Sequence, residues 1–397
     1  MKKRNILIAE TIYGEPEKKA VNKVLDSGWL GEGKYTTLLE KQISDYIGVK
    51  HAIFVNSGSS ALLLGLKALN LPAGSEVITC AAGFPSTMNP IFHAGLKPVV
   101  VDCELDTLNI DPKKALKAMT KKTSAIVFAH AAGNPVDLDA LKPIMDRVPS
   151  VEDTADALGS KWGKKMTGSF GTVSALSFYA SHHMTAGGGG GMVLTDSTDL
   201  ATTMYSLRDW GKTYKSPEYY QTDETKLNIV IDGVQYDRNY GYDTIGFNFK
   251  LIEMGAAFGT EQFKRLPGFV KARNRNFDLL QKILRFSWTD YFIPIRSYPN
   301  ATPSWFFFPF ILRDDCSFSR EDFMVYLESK GIHTRLFFAG NILRHPALKK
   351  KYIKVVGGTT NADKLMSDAL MIGIHPGMEL DDVQYVVDMV NKFLQGK

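Results

Sequence analysis

Several polar residues of this 397-residue chain follow short β-rich runs, and their types suit proton transfer around a bound anionic heterocycle. His182 and His183 stand together in SFYASHHMTAGGGGGMVLT, residues 177 to 195. A histidine, with an unperturbed pKa near about 6.5, is half neutral at working pH and serves as a base that later returns its proton. An adjacent pair is also a common surface or satisfied-core feature, and the glycines that follow allow close backbone approach but supply no ligands. Asp153, in VEDTADALGS, follows the strand-like VPSV. A carboxylate there can hold a protonated pyridine nitrogen and keep the ring an electron sink, or can simply start a helix. Asp156 is either within reach of the ring substituents or solvated.

Asn56-Ser57-Gly58-Ser59-Ser60 closes a β-rich run and opens SALLLGLKAL. Free N–H groups at a helix N-terminus, with serine hydroxyls beside them, make a phosphate cradle; the same residues make an ordinary N-cap and turn. Phe84, in AAGFPSTMNP, offers an aromatic face to a flat ligand or belongs to the core. Ser177, ending SALS, adds a hydroxyl to the phosphate site or is a plain strand-end serine.

The elements that must position these residues are legible between residue 50 and about 200. HAIFVNSG, SEVITCA, PVVVDC, SAIVFAHAAG, SVEDTAD, SALSFYA and GGMVLTD read as strands separated by helical stretches. That alternation predicts right-handed crossovers, an α/β fold and a mostly parallel sheet covered on both faces. Ligands of such sheets sit beyond the carboxyl ends of the strands, where the candidate residues fall. Residues 206 to 245 show little periodicity and read as a long excursion loop. LIEMGAAFGTEQFKRL reads as a helix, Pro267-Gly268 as a break, and FVKARNRNFDLLQKIL as a second helix. The expected division is a large cofactor-binding domain over 1–268 and a smaller α/β domain over 269–397.

Composition narrows the function classes. At 44% hydrophobic and 22% charged the chain is an ordinary globular one. No apolar run approaches membrane-spanning length and the start lacks a secretory signal, so the expected location is the cytoplasm, without a membrane partner. The net charge of +5 is spread along the chain rather than gathered in a stripe, which argues against nucleic-acid binding and suits a small anionic ligand. Three scattered cysteines, Cys80, Cys103 and Cys316, indicate neither a zinc site nor a disulfide framework, and no metal is expected.

Together these segments resemble the sugar aminotransferases of the DegT/DnrJ/EryC type, fold type I pyridoxal-phosphate proteins acting on nucleotide-linked sugars. The double histidine, ADALGS and FAGNILR are similar to the CDP-6-deoxy-L-threo-D-glycero-4-hexulose 3-dehydratase branch, and the likeness runs over nearly the whole chain. It implies an aspartate aminotransferase-like fold with pyridoxal or pyridoxamine 5′-phosphate as cofactor. Gly58, Ser59 and Ser177 would hold the phosphate, Phe84 would stack on the ring and Asp153 would pair with its nitrogen. His182 would replace the Schiff-base lysine as base, with His183 in support. An imidazole moves protons but cannot tether the cofactor as an amine does. Asn248, in GFNFK, would reach the phosphate from a second subunit, making a homodimer the working unit. Arg335 and Asn341, in TRLFFAGN, would touch the substrate.

The activity so implied is C3 dehydration of a nucleotide-diphosphate-4-keto-6-deoxyhexose in deoxysugar biosynthesis, with glutamate restoring the amine form of the cofactor. The alternatives are a nucleotide-sugar 4-aminotransferase and a non-catalytic cofactor-binding homologue. Two departures stand out. The iron-sulfur members of the branch carry clustered cysteines after an LRDWG-like segment, where this chain reads LRDWGKTYKSPEYYQ, so no iron-sulfur cluster is expected. Gly188 stands where relatives usually carry an acidic residue.

Overall fold

The computed structural model describes residues 4–218 and 227–396. Two helices, α1 (Glu15–Ser27) and α2 (Lys34–Ile47), precede the first strand. The chain then alternates through β1 (His51–Val55), α3 (Gly58–Ala68), β2 (Glu76–Cys80), α4 (Pro85–His93), β3 (Lys97–Val101), α5 (Pro112–Ala118), β4 (Thr123–Ala129), α6 (Leu138–Met145) and β5 (Ser150–Asp153). A short hairpin, β6 (Lys161–Trp162) and β7 (Lys165–Met166), leads to β8 (Val173–Ser177), β9 (Gly191–Thr195) and α7 (Thr198–Arg208).

All seven segments read as strands are strands of one sheet. Its order is β1-β9-β8-β5-β4-β2-β3, closed at the far edge by β15 (Lys354–Val355) from the C-terminal part of the chain. β9 runs antiparallel to both neighbours and the other pairs are parallel. The strands are buried on both faces, as in the all-buried burial pattern of β8 and β9. Such strands read as continuous apolar runs because helices cover both sides of a parallel sheet.

Residues 206 to 245 do not form the expected featureless loop. Their described part contains a hairpin, β10 (Leu227–Ile231) and β11 (Val234–Asp237), turning at Asp232-Gly233, both in the left-handed region. Its strands are short, and the aliphatic residues Val230, Ile231 and Val234 stand exposed instead of alternating with polar ones. The break expected at Pro267-Gly268 is also absent: α8 (Glu253–Ser287) runs through both residues. A helix-interior proline costs about 3 kcal/mol in an isolated helix. Here α8 packs against α1 and α2 at one end and the C-terminal sheet at the other, and that burial outweighs the lost hydrogen bond.

The C-terminal part comprises β12 (Ala301–Thr302), β13 (Phe307–Ile311), α9 (Arg320–Ser329), β14 (Thr334–Leu336), β15, α10 (Thr360–Asp368), β16 (Ala369–Gly373) and α11 (Leu380–Leu394). β16 lies between β13 and β14 in an antiparallel sheet, over a core rich in phenylalanine. The amino terminus joins this part through a bridge between Ile6 and Ile332. Among the described residues, no helix is long and apolar enough to cross a membrane.

Candidate active site

The carboxyl ends of β1, β2, β4, β5 and β8 surround a cavity of about 580 Å³. Gly58, Ser59, Phe84, Asp153, Asp156, Ser177 and His182 all line it. At one end, Ser57 caps α3 by accepting from Ser60 N at 3.0 Å. Gly58 is required by close approach, because a Cβ there would stand 2.6 Å from Ser177 Cβ. Gly191 is required for the same reason, since its Cβ would meet Ser57 O at 2.5 Å. The N-terminus of α3 thereby lines the cavity together with Ser59 and Ser177, the kind of arrangement an oxyanion or phosphate needs.

At the other end Asp153, the last residue of β5, is buried. It accepts from Thr87 Oγ1 at 2.7 Å and from Ala155 N at 3.2 Å. Burial raises its pKa against these hydrogen bonds. A desolvated carboxylate facing a cavity, with neutral partners only, is stabilised by an incoming cation such as a pyridinium N–H. Phosphate cradle and carboxylate therefore line one cavity, and these residues fit pyridoxal phosphate. Phe84 stands at the mouth, 56% exposed, edge-on to Phe338 with ring centroids 6.1 Å apart.

His182 forms part of the wall. Its ring stacks on Phe306 at 5.0 Å, and its Nδ1 lies 3.5 Å from Asp156 Oδ1 without a hydrogen-bond partner. Burial, with the nearby Arg273 charge, lowers its pKa to about 3. The half-ionised imidazole expected from the sequence is thus a neutral one. Burial and the Asp153 charge raise the pKa of Asp156 to about 8. His183 lies behind this wall. Its Nε2–H donates to Ser304 O at 2.8 Å, and burial and Arg273 hold its pKa well below the ordinary histidine value.

Besides His183, three expected residues lie outside the cavity. Asn341 does not face a substrate: it is fully buried and its amide nitrogen donates to Thr359 Oγ1 and Asp363 Oδ1, while Oδ1 accepts from Leu343 N. Its amide is thus engaged within the fold, by two side chains and one backbone amide. Arg335 is exposed on β14 and turns its guanidinium to Thr334 O at 2.8 Å. Asn248 is exposed and bridges to Asp209.

Residues that local sequence did not single out complete the site. Arg273, in the middle of α8, is buried. It donates to Phe306 O at 2.7 Å and, at 3.3 and 3.4 Å, to Ser181 O and His182 O, which fixes the backbone carrying both histidines. Burial lowers its pKa to about 10. Glu152, wholly buried next to Asp153, accepts from His130 Nε2, Ser174 Oγ and the amides of Gly168, Phe170 and Gly171. His130 directly follows β4, so the strand-end rule that found Asp153 also points to it. The glycines after the histidines are conformational, because Gly187, Gly188 and Gly190 have φ of 78°, 103° and 100°. An acidic side chain at 188 would strain this backbone.

Cys80 lines the cavity and Cys103 is buried near it, whereas Cys316 lies in the C-terminal part. Among the described residues, no group of three histidine, cysteine or acidic side chains is placed to hold a metal.

Comparison with known proteins agrees with this architecture. The chain is 37% identical to the lipopolysaccharide biosynthesis protein RfbH of Salmonella typhimurium, covering 96% of this chain and 90% of that protein. It is also 37% identical to dTDP-4-dehydro-2,6-dideoxy-D-glucose 3-dehydratase of Saccharopolyspora spinosa, over 89% of this chain and 79% of that one. A solved structure of GDP-4-keto-6-deoxymannose-3-dehydratase, a histidine-to-asparagine mutant with bound GDP-perosamine, superposes with a TM-score of 0.89 at 29% identity, covering 97% of this chain and all of that one. Residues 11–391 match the family signature itself, and the chain belongs to the DegT/DnrJ/EryC1/StrS aminotransferase family of pyridoxal-phosphate proteins.

Proposed function

We propose that this protein is a pyridoxamine-phosphate-dependent C3 dehydratase of a nucleotide-diphosphate-linked 4-keto-6-deoxyhexose. The observation that carries this reading is His182: it lines the cavity between the phosphate cradle and Asp153, and no lysine lines that cavity among the described residues. A wall that offers an imidazole and no amine suits proton transfer rather than covalent tethering. Two 3-dehydratases similar to this chain act on sugars of this kind, as their names state.

Gly58, Ser59 and Ser177 hold the phosphate, Asp153 holds the ring nitrogen and Phe84 packs on the ring. Bound in its amine form, the cofactor supplies the nitrogen that takes the sugar's C4 carbonyl and an electron sink. Asp156 orients His182 through Nδ1. Burial is the larger cause of the raised Asp156 pKa and the Asp153 charge the smaller, so a cation at Asp153 eases ionisation of Asp156, which then accepts a hydrogen bond from Nδ1–H and leaves Nε2 free as the base. Nε2 takes a proton on the cavity side and delivers one to the departing C3 oxygen. Glutamate restores the amine form, and the enzyme works as a homodimer in which Asn248 completes the partner's phosphate site. Trp29, Ile245 and Ile252, which are 65%, 94% and 51% exposed, support a subunit interface on that side.

The test is incubation with pyridoxamine phosphate, glutamate and GDP-, CDP- or dTDP-linked 4-keto-6-deoxy sugars, with products read by mass spectrometry. A 3-deoxy product is expected, and His182→Asn should lose it while still binding cofactor. A 4-amino sugar would mark an aminotransferase, and cofactor binding with no product from any of these sugars would mark a non-catalytic homologue.

A further inference from the structure

The TRLFFAGN segment reaches the large cavity through neither Arg335 nor Asn341 but through Phe338, which lies between them in sequence. Phe338 has a φ of 46°, a left-handed backbone that bulky side chains rarely adopt. The turn that carries it is stitched to the loop after β2. Ala339 N donates to Gly83 O at 3.2 Å, Ile342 N donates to Ala81 O at 3.0 Å, and Asn341 bridges to Ala82. On its other side His345 Nε2–H donates to Ala339 O at 2.8 Å, and Gly340 approaches α10 so closely that a Cβ there would stand 2.6 Å from Met366 Cα. These contacts and the buried amide of Asn341 hold a conformation that Phe338 alone would not choose. Strain maintained by its surroundings marks a side chain whose placement matters.

The half-buried ring of Phe338 meets Phe84 on one side and, on the other, Phe307 at 5.4 Å. Phe307 meets Phe306 at 5.6 Å, and Phe306 stacks on His182, so an aromatic arc runs from the histidine to Phe84. Met88, Leu108 and Ile342 also line the cavity and belong to the apolar core on which Phe338 packs. Leu108 shares the left-handed backbone, with a φ of 67°. The polar residues beside them are already engaged. The Asn109 amide nitrogen donates to Asn134 O while its oxygen accepts from Ala131 N, and His130 Nδ1 accepts from Val136 N while its Nε2–H donates to Glu152. A methyl group loses nothing on entering such a wall, whereas a hydroxyl would give up water without finding a partner.

We propose that Phe338 is a specificity-determining residue: with Met88, Leu108 and Ile342 it forms an apolar subsite that receives the C6 methyl group of the bound sugar and discriminates against a C6 hydroxyl. This rests on the reading that a nucleotide-linked 6-deoxyhexose lies between the cofactor and His182. The diphosphate holds the nucleobase away from His182, which leaves the methyl as the apolar group of the substrate at this wall.

Binding of non-reacting sugars tests the subsite apart from turnover. The protein loaded with pyridoxamine phosphate is titrated calorimetrically with pairs that lack a 4-keto group and differ only at C6: GDP-D-rhamnose against GDP-D-mannose, dTDP-6-deoxy-D-glucose against dTDP-D-glucose, and CDP-6-deoxy-D-glucose against CDP-D-glucose. In at least one pair the 6-deoxy member should bind about tenfold more tightly or better, the scale on which an apolar pocket rejects an added hydroxyl. Phe338→Asn suits the left-handed backbone, so it keeps the turn while removing the ring. It should cut the preference to below about threefold, whereas Phe338→Leu should retain most of it. Both variants should bind pyridoxamine phosphate as the parent does. Equal affinities within every pair in the parent, an unchanged preference in Phe338→Asn, or weakened cofactor binding in that variant overturns the subsite. A 3-deoxy product without a C6 preference would defeat this inference alone, and a C6 preference without a 3-deoxy product would defeat the dehydratase reading alone.

Discussion

His182 Nδ1 and Asp156 Oδ1 lie 3.5 Å apart in the cavity wall and are not aligned for a hydrogen bond. Burial favours the neutral form of each, with a histidine pKa of about 3 and an aspartate pKa of about 8. At neutral pH the free protein therefore carries an uncharged pair where opposite charges would be expected.

The first prediction is a stability loss on the alkaline side of neutrality. Asp156 has a folded pKa above its unfolded value, so between about pH 4 and 8 the native state binds more protons and stability falls as pH rises. His182 has a folded pKa below its unfolded value, so its contribution rises from about pH 3 to 6.5 and offsets that fall there. Above about 6.5 the offset ends, and Asp156 and the similarly raised Glu40 act alone. The cofactor-free protein should lose about 2 kcal/mol per group between pH 6.5 and 8. Asp156→Asn should remove about half of that slope in denaturant unfolding, and an unchanged slope would place the carboxylate elsewhere.

Restoring an amine at position 182 tests the direction in which that side chain points. His182→Lys puts a flexible amine into the wall that faces the large cavity. With pyridoxal phosphate added, the variant should develop the visible absorbance of a lysine Schiff base. Borohydride should abolish that band and fix the cofactor on the introduced amine only, as read by peptide mapping. No new band would show that residue 182 does not reach the cofactor carbon.

The sheet and the candidate residues at its strand ends were legible because a parallel strand leaves its signature locally. Apolar runs in β1, β5 and β8 end at Ser57, Asp153 and Ser177, and chain direction alone puts those ends on one side. Arg273 and Phe306 were not legible. One sits inside a long helix and the other before an apolar strand, and they become site residues only when the C-terminal part folds back onto the loop at 181–183. Asn341 shows the converse: its motif marked a position accurately, but the buried amide is consumed by Thr359, Asp363 and Leu343. Local sequence carries no information on which partner a polar side chain meets from more than twenty residues away, as with Glu152 and His130.

Gly58 gives the phosphate cradle a steric test. An alanine Cβ would stand 2.6 Å from Ser177 Cβ and 3.2 Å from its Cα, so either α3 or the end of β8 must move. Gly58→Ala should cost about 1–3 kcal/mol of stability through overpacking. Pyridoxal-phosphate affinity, read by absorbance titration, should fall at least tenfold, whereas the affinity for pyridoxal without its phosphate should change little. Equal losses for both ligands would move the phosphate away from α3.

Glu152 anchors the wall on which Asp153 depends. Burial alone would raise its pKa, but hydrogen bonds from His130 and the amides of Gly168 and Gly171 overcome that and lower it. Its contribution is accordingly present above the unfolded glutamate pKa and lost as pH falls through the lower folded one. Truncation by Glu152→Ala strips an acceptor from three amides, a serine hydroxyl and His130 at once. Leaving that many buried donors unmatched should cost about 3–5 kcal/mol, the range for breaking a buried pair. Glu152→Gln keeps the shape but replaces one acceptor oxygen with an NH₂ that meets other donors, so it should recover less than half of the loss. Thermal unfolding of the three proteins measures this order. If Glu152→Gln is as stable as the parent, the charge on Glu152 is not what holds the loop at 168–171 against β5, and the wall behind Asp153 is fixed by packing alone.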